Sequence, residues 1–521
     1  MPYGRSSNRI EEGSGGQKME LIYTGNEIKE MDRQATQKGT ELLSLIEKAG
    51  EAIAGQIEGL PKGPVWIFCG AGNNGADGLS AALLLARTRK VSVLFFHERA
   101  VSSMMRSLYE AVVQSGIEAK EIESEAQIPE QLDMKQGIVV DALLGAGSNR
   151  PVQGLLAKAI ECINAQKTNA LVVSIDIPTG VFPDTGMVKG PAVCADITYS
   201  LMGHKPGVLL YPGAKHAGQV RLLRPFQTEY RAQRLRFVVQ PEAFPSLKRD
   251  RFSHKGTYGK LALVVGSDGM YGAGELCARS ALRSGVGLLG MASPRTTAAG
   301  YRNQLPCALV RALPEDNGGY APCRKELETH FEGATALAIG CGMGKSKGVW
   351  PVVFQALQTK KPCVIDADAL NALAKAGKQA WPYLHGEVIL TPHPAELARL
   401  LQTDTSAVLM DAMHAAEVLA MSTGAVVLCK NASTIIAGPR YTAVVTSGCA
   451  GMAKGGSGDV LAGCMGSMLA QGHSAFDSAC MAAYICGRAG ELAQEAYGDV
   501  SMLPTDTIEM LPRVFIELEN R

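Results

Sequence analysis

The chain has 521 residues, too many for one ordinary domain, and its 46% hydrophobic and 19% charged residues suit a globular protein with large cores. A net charge of +1 excludes a whole-molecule field that would gather a polyanion, so no nucleic-acid partner is expected. No apolar run approaches the roughly 20 residues of a membrane span, which argues against a membrane partner. The 13 cysteines are scattered without a CxxC pair, which speaks against zinc and disulfide frameworks and for a reducing, cytoplasmic setting.

Residues 1–19 are polar and rich in glycine and serine, lack the apolar segment of a secretory signal, and read as a disordered extension. Glu27 to Ile57 is mostly helical in pattern, with a break expected near Gly39. Its second part carries Leu42, Ile46, Ala49 and Ile53 at helical spacing, with Thr40 as a cap. Continuously apolar runs follow: VWIFCGAGNNGADG, VSVLFFHE, IVVDALLGAG and LVVSIDIPTG, each closing on small or polar residues. Such strands, separated by helix-length segments, predict a parallel sheet covered on both faces. An arginine-rich stretch containing a proline places a linker at 231–245. The alternation restarts with LALVVGSDG, ALAIGCGMG, PCVIDADALN, EVILTPHPAE and AVVLCKNAST, then ends on GMAKGGSGDVLAG and a long helical pattern. The reading is two unequal α/β units in tandem, 20–230 and 246–521, with ligand clusters at the carboxyl ends of strands.

In the first unit, Gly70 to Gly75 fits GxGxxG after a strand and invites a dinucleotide-binding reading, with Glu98 as the ribose acid. Asp77 argues against it, because it sets a negative charge at the start of the expected helix, where a pyrophosphate would sit. Two asparagines and an aspartate suit a hydrogen-bonding, cation-binding loop better. Asp141 at the end of IVVD, and Asp176 with Thr179 in IDIPTG, lie at further strand ends. Asn74, Asp141 and Thr179 together offer oxygen ligands to a hard cation; the alternative is that strand-end aspartates cap the next turn.

In the second unit, Gly455 to Gly463 reads GGSGDVLAG before a helix with Val460, Leu461, Cys464, Met468 and Leu469 at helical spacing. Backbone N–H groups at that helix start would form an anion hole for a transferring phosphoryl group, and Asp459 is placed to take a proton from an attacking hydroxyl. Gly340 to Ser346 ends in GKS like a Walker A loop, but Ile339 stands where that motif needs glycine. Lys430 to Thr434 offers a cation and hydroxyls for phosphate, Asp366 and Asp368 could orient the phosphates or a metal, and His393 sits between prolines in a strand-end loop.

GAGNNGADG, DALLGAG with Arg150-Pro151, and DIPTG resemble the NAD(P)H-hydrate epimerase family over residues 20–230, which implies a Rossmann-like three-layer α/β/α domain. The resemblance implies that Asn73, Asn74, Gly75, Ala76, Asp77, Gly145, Ala146, Gly147, Ser148, Asn149, Arg150 and Pro151 hold a hydrated dinucleotide (NADHX or NADPHX). It further implies that Asp176 touches that substrate and that Asn74, Asp141 and Thr179 bind K+. Ala76 and Thr179 replace the family's glycine and serine, and Ala76 would be strained if its φ were positive. Asp176 is the candidate acid/base for inversion at the hydroxyl-bearing ring carbon. Lys205 is a second candidate, read as solvent-facing.

The second unit resembles the ADP/ATP-dependent NAD(P)H-hydrate dehydratase family, a branch of the ribokinase-like α/β fold, through DADALN, TPHPAE, KNAST and GGSGDVLAG. The resemblance implies that Ala273, Gly342, His393 and Asp459 contact the hydrate, and that Lys430, Asn431, Ala432, Ser433, Thr434 and Gly458 bind the adenine nucleotide. Asn431, Cys341 and Lys454 depart from the family pattern, the first and last beside the expected nucleotide. The implied chemistry has Asp459 helping the substrate hydroxyl attack the terminal phosphate of ADP or ATP, with Mg2+ on the donor and phosphate as the leaving group. A homo-oligomer is expected. Two alternatives are a vitamin-precursor kinase fused to a dinucleotide-binding module, and a first unit that binds without catalysis.

Overall fold

The computed structural model describes residues 19–98, 100–129, 132 and 136–521; the extension expected over residues 1–19 lies, but for its last residue, outside the described residues. The chain divides into two compact units, one spanning Glu20–Leu235 and the other containing Arg236–Arg521.

The first unit is built on seven strands in the order Glu118–Ile122, Val91–Phe96, Val65–Cys69, Gly137–Ala142, Ala170–Ile175, Ile197–Leu201, Gln219–Leu223, all parallel. Alternate residues of the central strands enter different cores, as the two-residue period of a strand requires. Ile67, Val93, Phe95 and Val140 pack with Ile53, Leu79, Leu85 and Val112 from helices on one face. Phe68, Leu94, Phe96 and Val139 pack with Leu155, Ala159, Ile160 and Ile163 from the helix Gly154–Ala165 on the other. Two helical layers therefore bury both faces of the sheet, each fully buried aliphatic contributing about 1.5–3 kcal/mol. The helical segment before the first strand is broken as expected: helices Gly25–Gln37 and Leu42–Glu58 flank Gly39, whose φ is +92°. The cap differs, since Glu41 rather than Thr40 occupies the second helix's N-cap.

The second unit has a ten-stranded sheet. Seven parallel strands run Ala308–Leu313, Leu288–Pro294, Lys260–Val264, Ala336–Ile339, Cys363–Ile365, Val388–Leu390, Val426–Cys429. Thr434–Ala437 and Tyr441–Val445 then continue the sheet antiparallel, with Leu235–Val238 at its edge. The expected linker 231–245 thus contains a strand. Phe237, only 1% exposed, anchors it, and the arginines around it mask its apolar alternation in the sequence. No described helix is long and apolar enough to cross a membrane, and all 13 cysteines are free.

Candidate active sites

The first site collects at the carboxyl ends of the parallel strands. Asp176 follows the strand Ala170–Ile175 with φ +69°, a conformation that costs a non-glycine residue energy and recurs at functional sites. The backbone is pinned there by Asp176 N–H donating to the Tyr199 carbonyl at 2.8 Å. Its carboxylate accepts from Ala146 N at 3.0 Å and Leu201 N at 3.3 Å, and is ion-paired with Lys205. Lys205 is not solvent-facing as expected: it is 0% exposed, and its ammonium also donates to the Leu201 and Gly203 carbonyls.

Beside this pair opens a cleft of about 450 Å³, lined by Asn73, Asn74, Asp77, Gly145, Ala146, Gly147, Ser148, Arg150 and Asp176, and also by Lys29 and Asp32 from the first helix. A Cβ on Gly145 would lie 3.1 Å from Asn74 Cβ and 3.3 Å from Asp176 Oδ2, so a glycine there lets the three strand ends converge. The helix expected near Asp77 starts earlier, at Asn73, which puts Asn73 to Asp77 inside its first turns. Ala76 is accordingly helical and fully buried, and the anticipated strain is absent. Gly75 lies against the Gly70 backbone, where a side chain has no room. Pro151 is not among the residues that line the cleft, and Asn149 turns to the Asp184 carboxylate at 3.3 Å.

Asp141 is fully buried and accepts from Thr179 Oγ1 at 2.6 Å, Thr179 N at 2.8 Å and Ser174 Oγ at 2.8 Å. Burial raises its carboxyl pKa even against these hydrogen bonds. The Asn74 amide, also buried, has no hydrogen-bond partner on either its oxygen or its nitrogen among the described residues. An orphaned buried amide is costly unless something fills its valence. Asp32 and Asp77 hold their protons unusually well. Burial and then the Asp176 charge push Asp32 up to about 6, and the same causes, with Asp32 added, push Asp77 well above the ordinary carboxyl range.

The second site also lies at strand ends. Asp366 follows Cys363–Ile365, Lys430 follows Val426–Cys429, and Cys341 follows Ala336–Ile339. Lys430 Nζ and Thr391 Oγ1 both donate to Asp366 Oδ1 at 2.6 Å. Burial works against the Lys430 ammonium, but the adjacent Asp366 charge more than offsets it, and its pKa rises. Asp459 is the third residue of the helix Ser457–Ala470, whose N-cap Gly456 has φ +107°. The ligand atoms of Asp459, Asp366 and Cys341 lie within 4.8 Å of one another. Burial, then the Asp366 charge, raises the Asp459 carboxyl to about 7, although the Cys341 thiol and Lys430 pull it down. Gly458 brings the helix start beside the Asp366–Lys430 pair: a Cβ there would be in ordinary contact, 3.5 Å from Lys430 Nζ.

Gly342, at φ +62°, faces the start of the helix Tyr271–Arg283, and a Cβ on it would be 2.9 Å from Ala273 Cβ. His393 is the N-cap of the helix Pro394–Leu401; its Nδ1 accepts from Ala395 N at 3.1 Å, and its Nε2 lies 3.6 Å from the Glu396 carboxylate. Asn431 and Ala432 are exposed, Ser433 is buried, and Thr434 opens the antiparallel strand. Lys454 donates to the carbonyls of Val500 at 2.7 Å and Met502 at 2.5 Å, so its charge is tied to the C-terminal end of the helix Ala475–Ser501. The cation of the KNAST loop, rather than Lys454, is the one beside the site carboxylates.

Sequence reasoning missed Asp32 and misjudged Lys205. The only available signal for Asp32 was its helical register with Gly25, Ile28 and Lys29, all of which line the cleft. A family model described as NAD(P)H-hydrate dehydratase matches residues 261–513, and one described as YjeF-related protein N-terminus matches residues 42–207. The bifunctional NAD(P)H-hydrate repair enzyme of Thermofilum pendens is 33% identical over 512 residues, covering 95% of this chain and 96% of its own. That of Escherichia coli is 30% identical over 505 residues, covering 95% and 93%. Among solved structures, the ADP/ATP-dependent NAD(P)H-hydrate dehydratase of Bacillus subtilis, co-crystallized with ATP/Mg2+, is 29% identical with a TM-score of 0.45, covering 52% of this chain and 94% of that one. Because relatives at this identity run through both units and both sites, the chain belongs to the family of bifunctional NAD(P)H-hydrate repair enzymes.

Proposed function

We propose that the first unit interconverts the R and S epimers of hydrated NADH and NADPH, and that the second dehydrates the S epimer using ADP or ATP. The observation that carries this is the paired construction of the two units: each sets a buried carboxylate held by a lysine at the carboxyl edge of its parallel sheet, Asp176 with the buried Lys205 and Asp366 with the part-exposed Lys430. A dehydratase that accepts one epimer strands the other, so the two activities belong on one chain. The kinase alternative has nothing comparable behind it, since relatives across the full length are repair enzymes.

In the first cleft, Asn73, Asn74 and the Gly145–Arg150 loop hold the dinucleotide, and Asp176, fixed by Lys205, meets the hydroxyl-bearing ring carbon. Asn74, Asp141 and Thr179 supply only oxygen donors, and the unpartnered Asn74 amide is what a bound K+ would satisfy. K+ there would neutralise the buried Asp141.

In the second cleft, Lys430 and the N–H groups at the start of Ser457–Ala470 receive the donor's phosphates. Asp459 takes the proton of the substrate hydroxyl as its oxygen bonds to the terminal phosphorus and the donor's bridging P–O bond breaks. The phosphate ester then leaves with its C–O electrons while the neighbouring ring carbon loses a proton, restoring the double bond. Mg2+ would enter on the donor's phosphates, with Asp366 and Asp459 the oxygen donors at hand. The free cysteines agree with a reducing, cytoplasmic compartment. The test is to incubate prepared NADH hydrate with the full chain, with and without ADP, and follow reduced-nicotinamide absorbance. Recovery only with the nucleotide is expected; accumulation of a stable phosphorylated product would reject the dehydratase reading.

A further inference from the structure

We infer that Asp32, on the helix Gly25–Gln37, is the proton donor of the epimerisation, acting across the cleft's contents with the Asp176–Lys205 pair. The inference rests on the epimerase reading of the first unit. Epimerisation at a carbon bearing both a hydroxyl and a ring nitrogen needs one group that gives a proton to the departing oxygen and recovers one afterwards. Asp176 is poorly suited to that task, because its carboxylate is occupied by the Lys205 ammonium and by two backbone N–H groups.

Asp32 has the opposite environment. It lines the same cleft from a separate element, and its carboxylate makes no hydrogen bond or ion pair among the described residues. Its helix is anchored at the start: Thr24 and Glu27 form a reciprocal cap, and Gly25 N donates to Asp184 at 2.6 Å. The charged and titratable groups that share its cleft are Lys29 one turn earlier, Asp77 on the helix Asn73–Leu85, Arg150, Asp176 and, behind it, Lys205. Burial and the Asp176 charge bring the Asp32 carboxyl up to about 6, near neutrality, where proton transfer in both directions is efficient. Asp77 lies deeper, and its proton is held more tightly. It therefore suits a fixed hydrogen-bond donor better than a group that must cycle.

The step balances without any co-reactant. Asp32 gives its proton to the ring hydroxyl, the C–O bond breaks, water departs, and the ring nitrogen's lone pair forms a C=N bond. Water then adds to the opposite face, the C=N electrons return to nitrogen, the added water gives its surplus proton to solvent, and the Asp32 carboxylate regains a proton from solvent. The Asp176 carboxylate, held by Lys205, faces the cationic ring between these two events.

The experiment uses the full chain, purified R or S hydrate without nucleotide, and chromatographic separation of the epimers. Asp32→Asn is expected to lower the epimerisation kcat by about 10²- to 10⁴-fold with little change in KM. Dehydration of pure S hydrate by the other unit serves as the internal control and stays unchanged. Wild-type epimerisation should fall as pH rises through about 6, since the donor must carry its proton. Asp32→Asn should lose that limb, whereas Asp77→Asn should keep it even if slower. A folded Asp32→Asn chain that epimerises within about threefold of wild type, or keeps the limb, overturns the inference. Should that variant fail to fold, Asp32→Glu must retain the limb, and a wild-type rate that does not fall through it overturns the inference equally. A wild-type chain that leaves both epimers untouched would instead sink the epimerase reading itself.

Discussion

Replacing Asp459 by asparagine removes one negative charge and one proton acceptor while keeping the side chain's size. The acceptor sits three residues into the helix Ser457–Ala470, and its carboxyl titrates at about 7 because it is buried and faces Asp366. A base must be ionised to act. With that value, about a tenth of the molecules are competent at pH 6 and about nine-tenths at pH 8, so dehydration should rise about tenfold over that interval. The sign follows from burial: the raised carboxyl is protonated below its pKa, and activity is lost as pH falls through it. Loss of a positioned base costs about 10²- to 10⁴-fold in kcat, or roughly 3–5 kcal/mol of barrier. The assay is recovery of reduced nicotinamide from S hydrate with saturating ADP, for wild type and Asp459→Asn, across that pH range. Epimerisation, on the other unit, serves as the control and should not change. A variant within about threefold of wild type, or a wild-type rate flat across the range, would refute the assignment of Asp459 as base.

Asp176→Asn should abolish epimerisation and spare dehydration of pure S hydrate, because it unpairs the buried Lys205 ammonium and resets the Ala146 contact; loss of both activities in a folded chain would contradict separate sites. Exchanging sodium for potassium should raise the melting temperature of the first unit, by the equivalent of about 2.7 kcal/mol at a hundredfold excess over Kd. Asn74→Ala should erase that increment, and an identical melt in both salts would remove K+ from the site. Gly75→Ala should destabilise the first unit by about 1–3 kcal/mol in urea unfolding, since its methyl meets the Gly70 backbone; an unchanged midpoint would mean that the approach is looser than described.

The parts of this protein that could be read in advance are those governed by neighbours along the chain. Runs such as VSVLFF must be buried on both faces, so they had to be strands of a covered parallel sheet. IDIPTG, KNAST and GGSGDVLAG are strand or helix termini whose small and polar residues betray them locally, and the main carboxylates of both sites followed from them. The break at Gly39 was equally local, because φ +92° suits glycine.

What the sequence could not reveal depends on residues far apart in the chain. Lys205 looks like any surface lysine until the strand Ile197–Leu201 is laid beside Ala170–Ile175, which buries it against Asp176, 29 positions away. Asp32 becomes a cleft residue only because its helix packs near strand ends that follow it by more than a hundred residues. Lys454 turns toward carbonyls at Val500 and Met502, and Leu235–Val238 joins a sheet edge formed by Tyr441–Val445. Local composition determined which residue types cluster at each strand end. Only tertiary packing decided which of them face one another, because burial and Coulomb interaction are set by distance in space.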